Sequence, residues 1–200
     1  MKVLIDNGHG YDTAGKCSPD HSLEEWQWTR EIAARVVAEL KNKGVDASLL
    51  TPEINDVPLS ERVGRVNKQC SLHGAKNVVV VSIHNNAAPP VDGKWHSAQG
   101  WSVFVSTNKQ GKVSNGSQLL SGLLAEEASK IGRKVRKPLP NQPYWVKSLA
   151  ITRDTLCPAA LTENYFMDNE VDIDFLLSDR GKAECVRIHV DAIIRYIELV

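Results

Sequence analysis

The stretch Asn77-Val78-Val79-Val80-Val81-Ser82-Ile83 limits the possible folds more than any other part of the chain. It is β-branched and uninterrupted, and it offers no polar alternation that would turn one face to water. Such a run reads as the central strand of a mainly parallel sheet, buried on both faces. Parallel strands need long crossovers, and helices over both faces supply them.

The rest of the chain has the matching pattern. Residues 2–6 (KVLID) read as a second buried strand. From Leu23 to Lys43 the periodicity is helical: Ile32, Val36, Val37 and Leu40 share one face, and Glu31, Arg35 and Glu39 share another. Gly44 suits the end of that helix. A short strand near Ala47–Thr51 follows, then a helix beginning near Ser60, which has capping chemistry. Residues 100–105 (GWSVFV) predict a strand, Ser117–Ile131 a helix, and residues 158–163 (PAALTE) a further strand. Asn169 is placed to cap a short helix. A long helix closes the chain from about Arg180, with Val186, Val190, Ile193, Ile194 and Ile197 as its inner stripe. The expected architecture is a single α/β domain over residues 1–200, a twisted, mainly parallel sheet with helices on both faces. The irregular stretches 84–99 and 132–157 have the length of binding loops.

Composition removes several classes of function. Lys and Arg number 24 and are balanced by 24 Asp and Glu, so no global charge draws the chain to nucleic acid or an anionic membrane. The one basic run, GRKVRKP at 132–138, reads as a solvated loop. No apolar run approaches the ~18 residues of a membrane span. The start of the chain lacks the pattern of a signal peptide, so the expectation is synthesis in the cytoplasm, or removal of a leader, with action at the cell wall or periplasm. Cys17, Cys70, Cys157 and Cys185 are widely spaced and form no C-x-x-C pair, which favours free, mostly buried thiols. A monomer is expected.

Chemistry collects at the carboxyl ends of the predicted strands, where open α/β sheets bind ligands. His9 stands between Gly8 and Gly10, just past the first strand. His84 follows the valine-rich strand, and Glu163 ends the strand PAALTE. Two imidazoles on one rim suit zinc, which in catalytic sites takes three protein ligands and leaves one position open. A third ligand is available at the start of the following helix. Residues seven apart on a helix differ by only about 20°, so Glu25 lies above Ile32 on the inward face, whereas Glu24 lies above Glu31 on the polar one. An inward carboxylate is costly unless paired or metal-bound. Glu163 is then free to act as a general base and acid on a zinc-activated water. Gly8 and Gly10 are read as freeing the backbone so that His9 can turn toward the metal.

These segments, DNGHG with His9, EEWQWTREIA with Glu25, SIHNNAA with His84 and PAALTENYFMDN with Glu163, resemble the zinc-dependent N-acetylmuramoyl-L-alanine amidases of the Amidase_3 family. The resemblance runs from Val3 to the last helix. It implies zinc held by His9, Glu25 and His84, with Glu163 catalytic, and hydrolysis of the amide between N-acetylmuramic acid and L-alanine of peptidoglycan or muropeptides. It also implies a role at the site rim for Arg153; Asn86 and His96 are further candidate substrate contacts. The chain departs from the family pattern at Asn7, where proline is frequent, and at Thr29, where asparagine is frequent. Two other readings differ in their products: a zinc peptidase acting on muropeptides, and a catalytically inactive wall-binding module.

Overall fold

A computed structural model of the chain describes residues 1–108 and 110–200. Six strands form one sheet: β1 (Lys2–Asn7), β2 (Asp46–Leu49), β3 (Val78–Asn86), β4 (Ser102–Val105), β5 (Trp145–Val146) and β6 (Ala159–Phe166). Their order is β2-β1-β3-β6-β4-β5. The pairs β1/β2, β1/β3 and β3/β6 are parallel, and β4 joins β6 antiparallel. The valine run is central, as its two-sided apolarity requires.

Residue parity along β3 explains why both faces are covered. Val79, Val81 and Ile83 point into the larger apolar layer, beside helices α1 (Glu25–Asn42), α3 (Asn115–Ser129) and α6 (Asp179–Leu199). Val78 and Val80 point into a smaller layer with Val66 and Cys70 of α2 (Leu59–His73) and Ile151 of α4 (Ala150–Arg153). On this second face the row continues as Ser82 and His84, so the apolar layer gives way to polar groups toward the carboxyl rim. A further helix, α5 (Glu170–Leu177), is capped by Asn169, whose side chain accepts from the amides of Val171 and Asp172.

Several boundaries differ from the sequence reading. The helix expected to be capped by Ser60 starts at Leu59 instead. Pro58 has its φ fixed near helical values, and its carbonyl accepts from the amides of Glu61 and Arg62. Strands β3 and β6 both run past the ends expected from the sequence, Ile83 and Glu163, to Asn86 and Phe166, because the backbone ladder between them continues. His84 therefore lies within β3 rather than after it, and Glu163 lies inside β6 rather than at its end. The stretches expected to be long loops contain the end of β3, all of β5 and the single turn α4.

The basic run 132–138 is a loop with Lys134 and Lys137 exposed, but its two arginines are not solvated. The Arg133 guanidinium sits 4.4 Å from the Phe175 ring centre and bonds Asp172, and that of Arg136 sits 4.8 Å from the Phe166 ring centre. Cation–π packing of this kind draws the charged heads onto the protein. Trp101 is fully buried and its indole donates to Asn164, so it is a packing residue. All four cysteines are free, and only Cys17 is partly exposed.

His189 joins α6 to the sheet. It is fully buried; Nδ1 donates to the Cys185 carbonyl at 2.7 Å and Nε2 accepts from the Thr162 hydroxyl at 2.9 Å. Burial holds its pKa down at about 4, below the ordinary 6.5. The unfolded chain thus takes up this proton first on acidification. The contribution of neutral His189 to stability is complete above pH 6.5 and is lost as pH falls toward 4. Urea unfolding at pH 7.5 and pH 5 should show the native chain losing on the order of 2 kcal/mol more than His189→Gln. Equal losses in the two proteins would remove His189 as the source.

Candidate metal centre

The chain leaves β1 in an unusual turn. His9 takes a left-handed backbone conformation (φ 60°), which is uncommon for a residue with a side chain. Neighbouring groups over-determine it. The Gly8 amide donates to Ile83 and its carbonyl accepts from the Thr29 hydroxyl at 3.0 Å. The His9 carbonyl accepts from the guanidinium groups of Arg30 (3.0 Å) and Arg62 (3.3 Å). The flanking glycines serve a purpose different from the expected one, since neither carries a positive φ. They are needed for space. A Cβ on Gly8 would lie 2.4 Å from the His84 ring, and one on Gly10 would lie 1.9 Å from the Asp56 backbone nitrogen.

Arg62 anchors this turn from α2. It is 2% exposed and donates to Asp6 at 2.7 Å, to the Asn7 carbonyl at 2.6 Å, to Asp56 at 2.7 Å and to the Val57 carbonyl at 2.8 Å. Asp6 is buried as well and accepts from Ser82 on β3. Neither residue is among the site candidates that the sequence motifs single out. A signal was present: Arg62 stands one and two helical turns before Val66 and Cys70, on the buried stripe of α2.

Against this turn the structure brings together His9, Glu25 and His84. Each offers one donor atom, and the three atoms lie within 4.8 Å of one another. Glu25 opens α1 with its carboxylate 1% exposed, on the inward face that its helical position requires. Its Oε1 accepts from the Asn85 amide at 2.9 Å and lies 3.2 Å from His84 Nδ1. Its Oε2 lies 3.4 Å from His9 Nε2 and has no hydrogen-bond partner. The imidazole rings of His9 and His84 meet edge to face, centres 5.0 Å apart. Burial pushes the His9 pKa down to about 4, with Glu25 opposing. Burial acts the same way on His84, but Glu25 outweighs it and the net direction is upward. For Glu25 burial favours the neutral acid, and the two histidines reverse this and keep it ionised.

Glu163 lies directly across from His84 in the β3/β6 register, so both side chains leave the same face. Its Oε2 is buried without a partner. Burial raises its pKa to about 7, opposed by His84 and reinforced by Glu25. Just beyond it, Tyr165 holds φ 62° and the β3/β6 register shifts between His84 and Asn86.

The candidate substrate contacts separate. Asn86 ends β3 on the same rim, with Oδ1 turned back to the Ala87 amide. His96 is held in its loop by Asp92 (2.9 Å) and by backbone bonds to Asp168 and Asn169. Arg153 is not brought to the cluster. Its guanidinium is taken by Asp154 and Ser148, and it lines a groove with Lys76 and Pro158, beside the amino-terminal ends of β3 and β6. The turn α4 packs against α2, which carries Arg153 to that end of the sheet.

Fold and cluster together define an α/β domain with a His–Glu–His donor set at the carboxyl rim of its sheet. The profile of the Amidase_3 family, described as N-acetylmuramoyl-L-alanine amidase, matches residues 3–195, and the chain belongs to that family. It is 26% identical over 199 residues to an endolysin of Bacillus phage SPP1, covering 98% of this chain and 66% of that protein. It is 24% identical over 201 residues to the N-acetylmuramoyl-L-alanine amidase CwlM of Bacillus licheniformis, covering 100% of this chain and 70% of CwlM. The chain thus spans about two thirds of the length of these relatives. Its fold matches the crystal structure of an N-acetylmuramoyl-L-alanine amidase from Clostridium difficile 630 with TM-score 0.81 at 20% identity, covering 99% and 97% of the two chains.

Two substitutions test how the turn is held. Arg62→Ala leaves the Asp6 carboxylate buried and unpaired, and should cost roughly 3–5 kcal/mol in urea unfolding. Gly8→Ala forces a methyl group into the His84 ring and should cost roughly 1–3 kcal/mol in urea unfolding, the scale of overpacking. Unchanged stability would show that His84 moves aside freely.

Proposed function

We propose that the chain is a zinc-dependent N-acetylmuramoyl-L-alanine amidase acting on peptidoglycan or muropeptides, with His9, Glu25 and His84 holding the metal and Glu163 moving the proton. The observation that carries this reading is the convergence of three donors around a buried carboxylate oxygen that has no hydrogen-bond partner. A buried, ionised carboxylate without its full set of partners is costly in a protein interior, and a divalent cation removes that cost. Two nitrogens and one carboxylate oxygen fit a catalytic zinc, which leaves a coordination position open. Membership of the amidase family supports the same reading.

Zinc bound there would supply Lewis acidity toward the scissile carbonyl and lower the pKa of water. The remaining chemistry belongs to the side chains. Glu163, across from His84, stands on the rim with a buried and unpartnered oxygen. Its carboxylate takes a proton from the attacking water. As the amide C–N bond breaks, that proton passes to the departing nitrogen of L-alanine, and the lactyl group is left as the acid. Burial, the main cause of the raised Glu163 pKa, suits the group to both halves of this transfer. Thr29, Arg30 and Arg62 act at a distance by fixing the Gly8 and His9 carbonyls, and with them the direction of the His9 ring.

Digestion of purified cell-wall sacculi with mass spectrometry of the products tests the assignment. Stem peptides with a free amino-terminal L-alanine should be released, and release should stop with chelator and return with zinc. Cleavage between two amino acids would instead make the chain a peptidase, and wall binding without release a binding module. Glu163→Ala should keep its metal and lose about 10²-fold or more of the rate. His84→Ala should lose bound zinc at this cluster; full occupancy there would reject it as a ligand.

A further inference from the structure

A second donor set lies in the hairpin that leads into α1. Cys17 and Glu24 face each other as an antiparallel bridge, and the Ser18 amide donates to the Leu23 carbonyl at 2.9 Å. His21 closes the turn, its amide donating to Ser18 at 3.0 Å and its backbone held at φ 58°. Only the local bonding keeps a residue with a side chain in that conformation. The consequence is a cluster: the Cys17 sulfur, a His21 ring nitrogen and a Glu24 carboxylate oxygen all lie within 4.8 Å of one another. His21 Nδ1 is 3.1 Å from Glu24 Oε1. Cys17 and His21 also wall a small cleft shared with Asp168, whose Oδ1 is buried and has no hydrogen-bond partner.

Thiolate, imidazole and carboxylate are the three side-chain ligand types of zinc, whereas magnesium and calcium take oxygen. The three donors come from one short hairpin, so gathering them around an ion costs little chain entropy. We propose that Cys17, His21 and Glu24 form a second zinc site, separate from the His9–Glu25–His84 cluster, that pins the hairpin preceding Glu25. The connection to Glu25 is direct. Glu24 is its neighbour in the chain, and the Glu25 amide donates to the Lys16 carbonyl at 2.8 Å on the opposite side of the hairpin. An ion joining the two sides would hold fast the backbone from which Glu25 projects.

The test uses the whole chain stripped of metal and titrated with Co²⁺. The His9–Glu25–His84 cluster contains no sulfur, so a thiolate-to-cobalt charge-transfer band reports on Cys17. Cys70, Cys157 and Cys185 are buried and belong to no donor cluster among the described residues. The band should appear in the native chain and in His84→Ala, disappear in Cys17→Ser and weaken in His21→Ala. Zinc analysis should give about two equivalents per native chain and about one in Cys17→Ser. Both hairpin variants alter partly or largely exposed side chains, and their circular dichroism should match the native spectrum. Absence of the band from the native chain, its survival in Cys17→Ser, its loss in His84→Ala, or an unchanged zinc count in Cys17→Ser would each overturn the proposal.

Discussion

The buried ion pair between Asp6 and Arg62 is the contact on which the functional rim depends. One guanidinium reaches the end of β1, the carbonyls of Asn7 and His9, the Asp56 carboxylate and the Val57 carbonyl. It therefore ties α2 to the turn that presents His9 and to the loop packed against Gly10. Paired buried charges contribute little net stability compared with apolar residues, but removing one partner is severe. Their value here is positional: five acceptors at fixed places leave the turn one conformation.

Strain and close approach are concentrated at the same rim. His9 and Tyr165 both hold left-handed backbone conformations, one beside the donor cluster and one just past Glu163. Each costs of order 1–3 kcal/mol and persists only under constraint from its surroundings. For His9 the constraints are Thr29, Arg30 and Arg62. Thr29 meets a specific need, because its hydroxyl satisfies the Gly8 carbonyl. Gly8 and Gly10 complete the arrangement by being small, letting the His84 ring and the Asp56 backbone come within distances that no side chain would permit.

Electrostatics explains why the cluster suits a cation. Glu25 is buried beside two imidazoles, one of which resists protonation, and it keeps an oxygen without a hydrogen bond. Its other oxygen is fixed by the Asn85 amide, at the point where β3 leaves its apolar row. The start of α1 adds a favourable helix-dipole field for the carboxylate. The negative charge of Glu25 and the two imidazoles are thus already gathered at one point of the folded chain.

The sequence by itself determined the layered α/β architecture, the central position of the valine run, and the inward direction of Glu25. These follow from periodicity, which is a local property of the chain. It also brought His9, His84 and Glu163 to one rim, since parallel strands end on the same side. Tertiary structure alone decided the rest. Arg62 became a clamp because its position on the α2 stripe faces Asp6, a pairing between residues 56 apart that no local pattern encodes. Gly8 and Gly10 proved to be spatial rather than conformational requirements, because what crowds them comes from β3 and from the loop before α2. Arg153 was carried to the opposite end of the sheet because the turn bearing it packs on α2. Arg133 and Arg136 of the basic run folded back onto aromatic rings supplied by β6 and α5. In each case the deciding force was a contact between distant segments, and such contacts come into being only when the chain is folded.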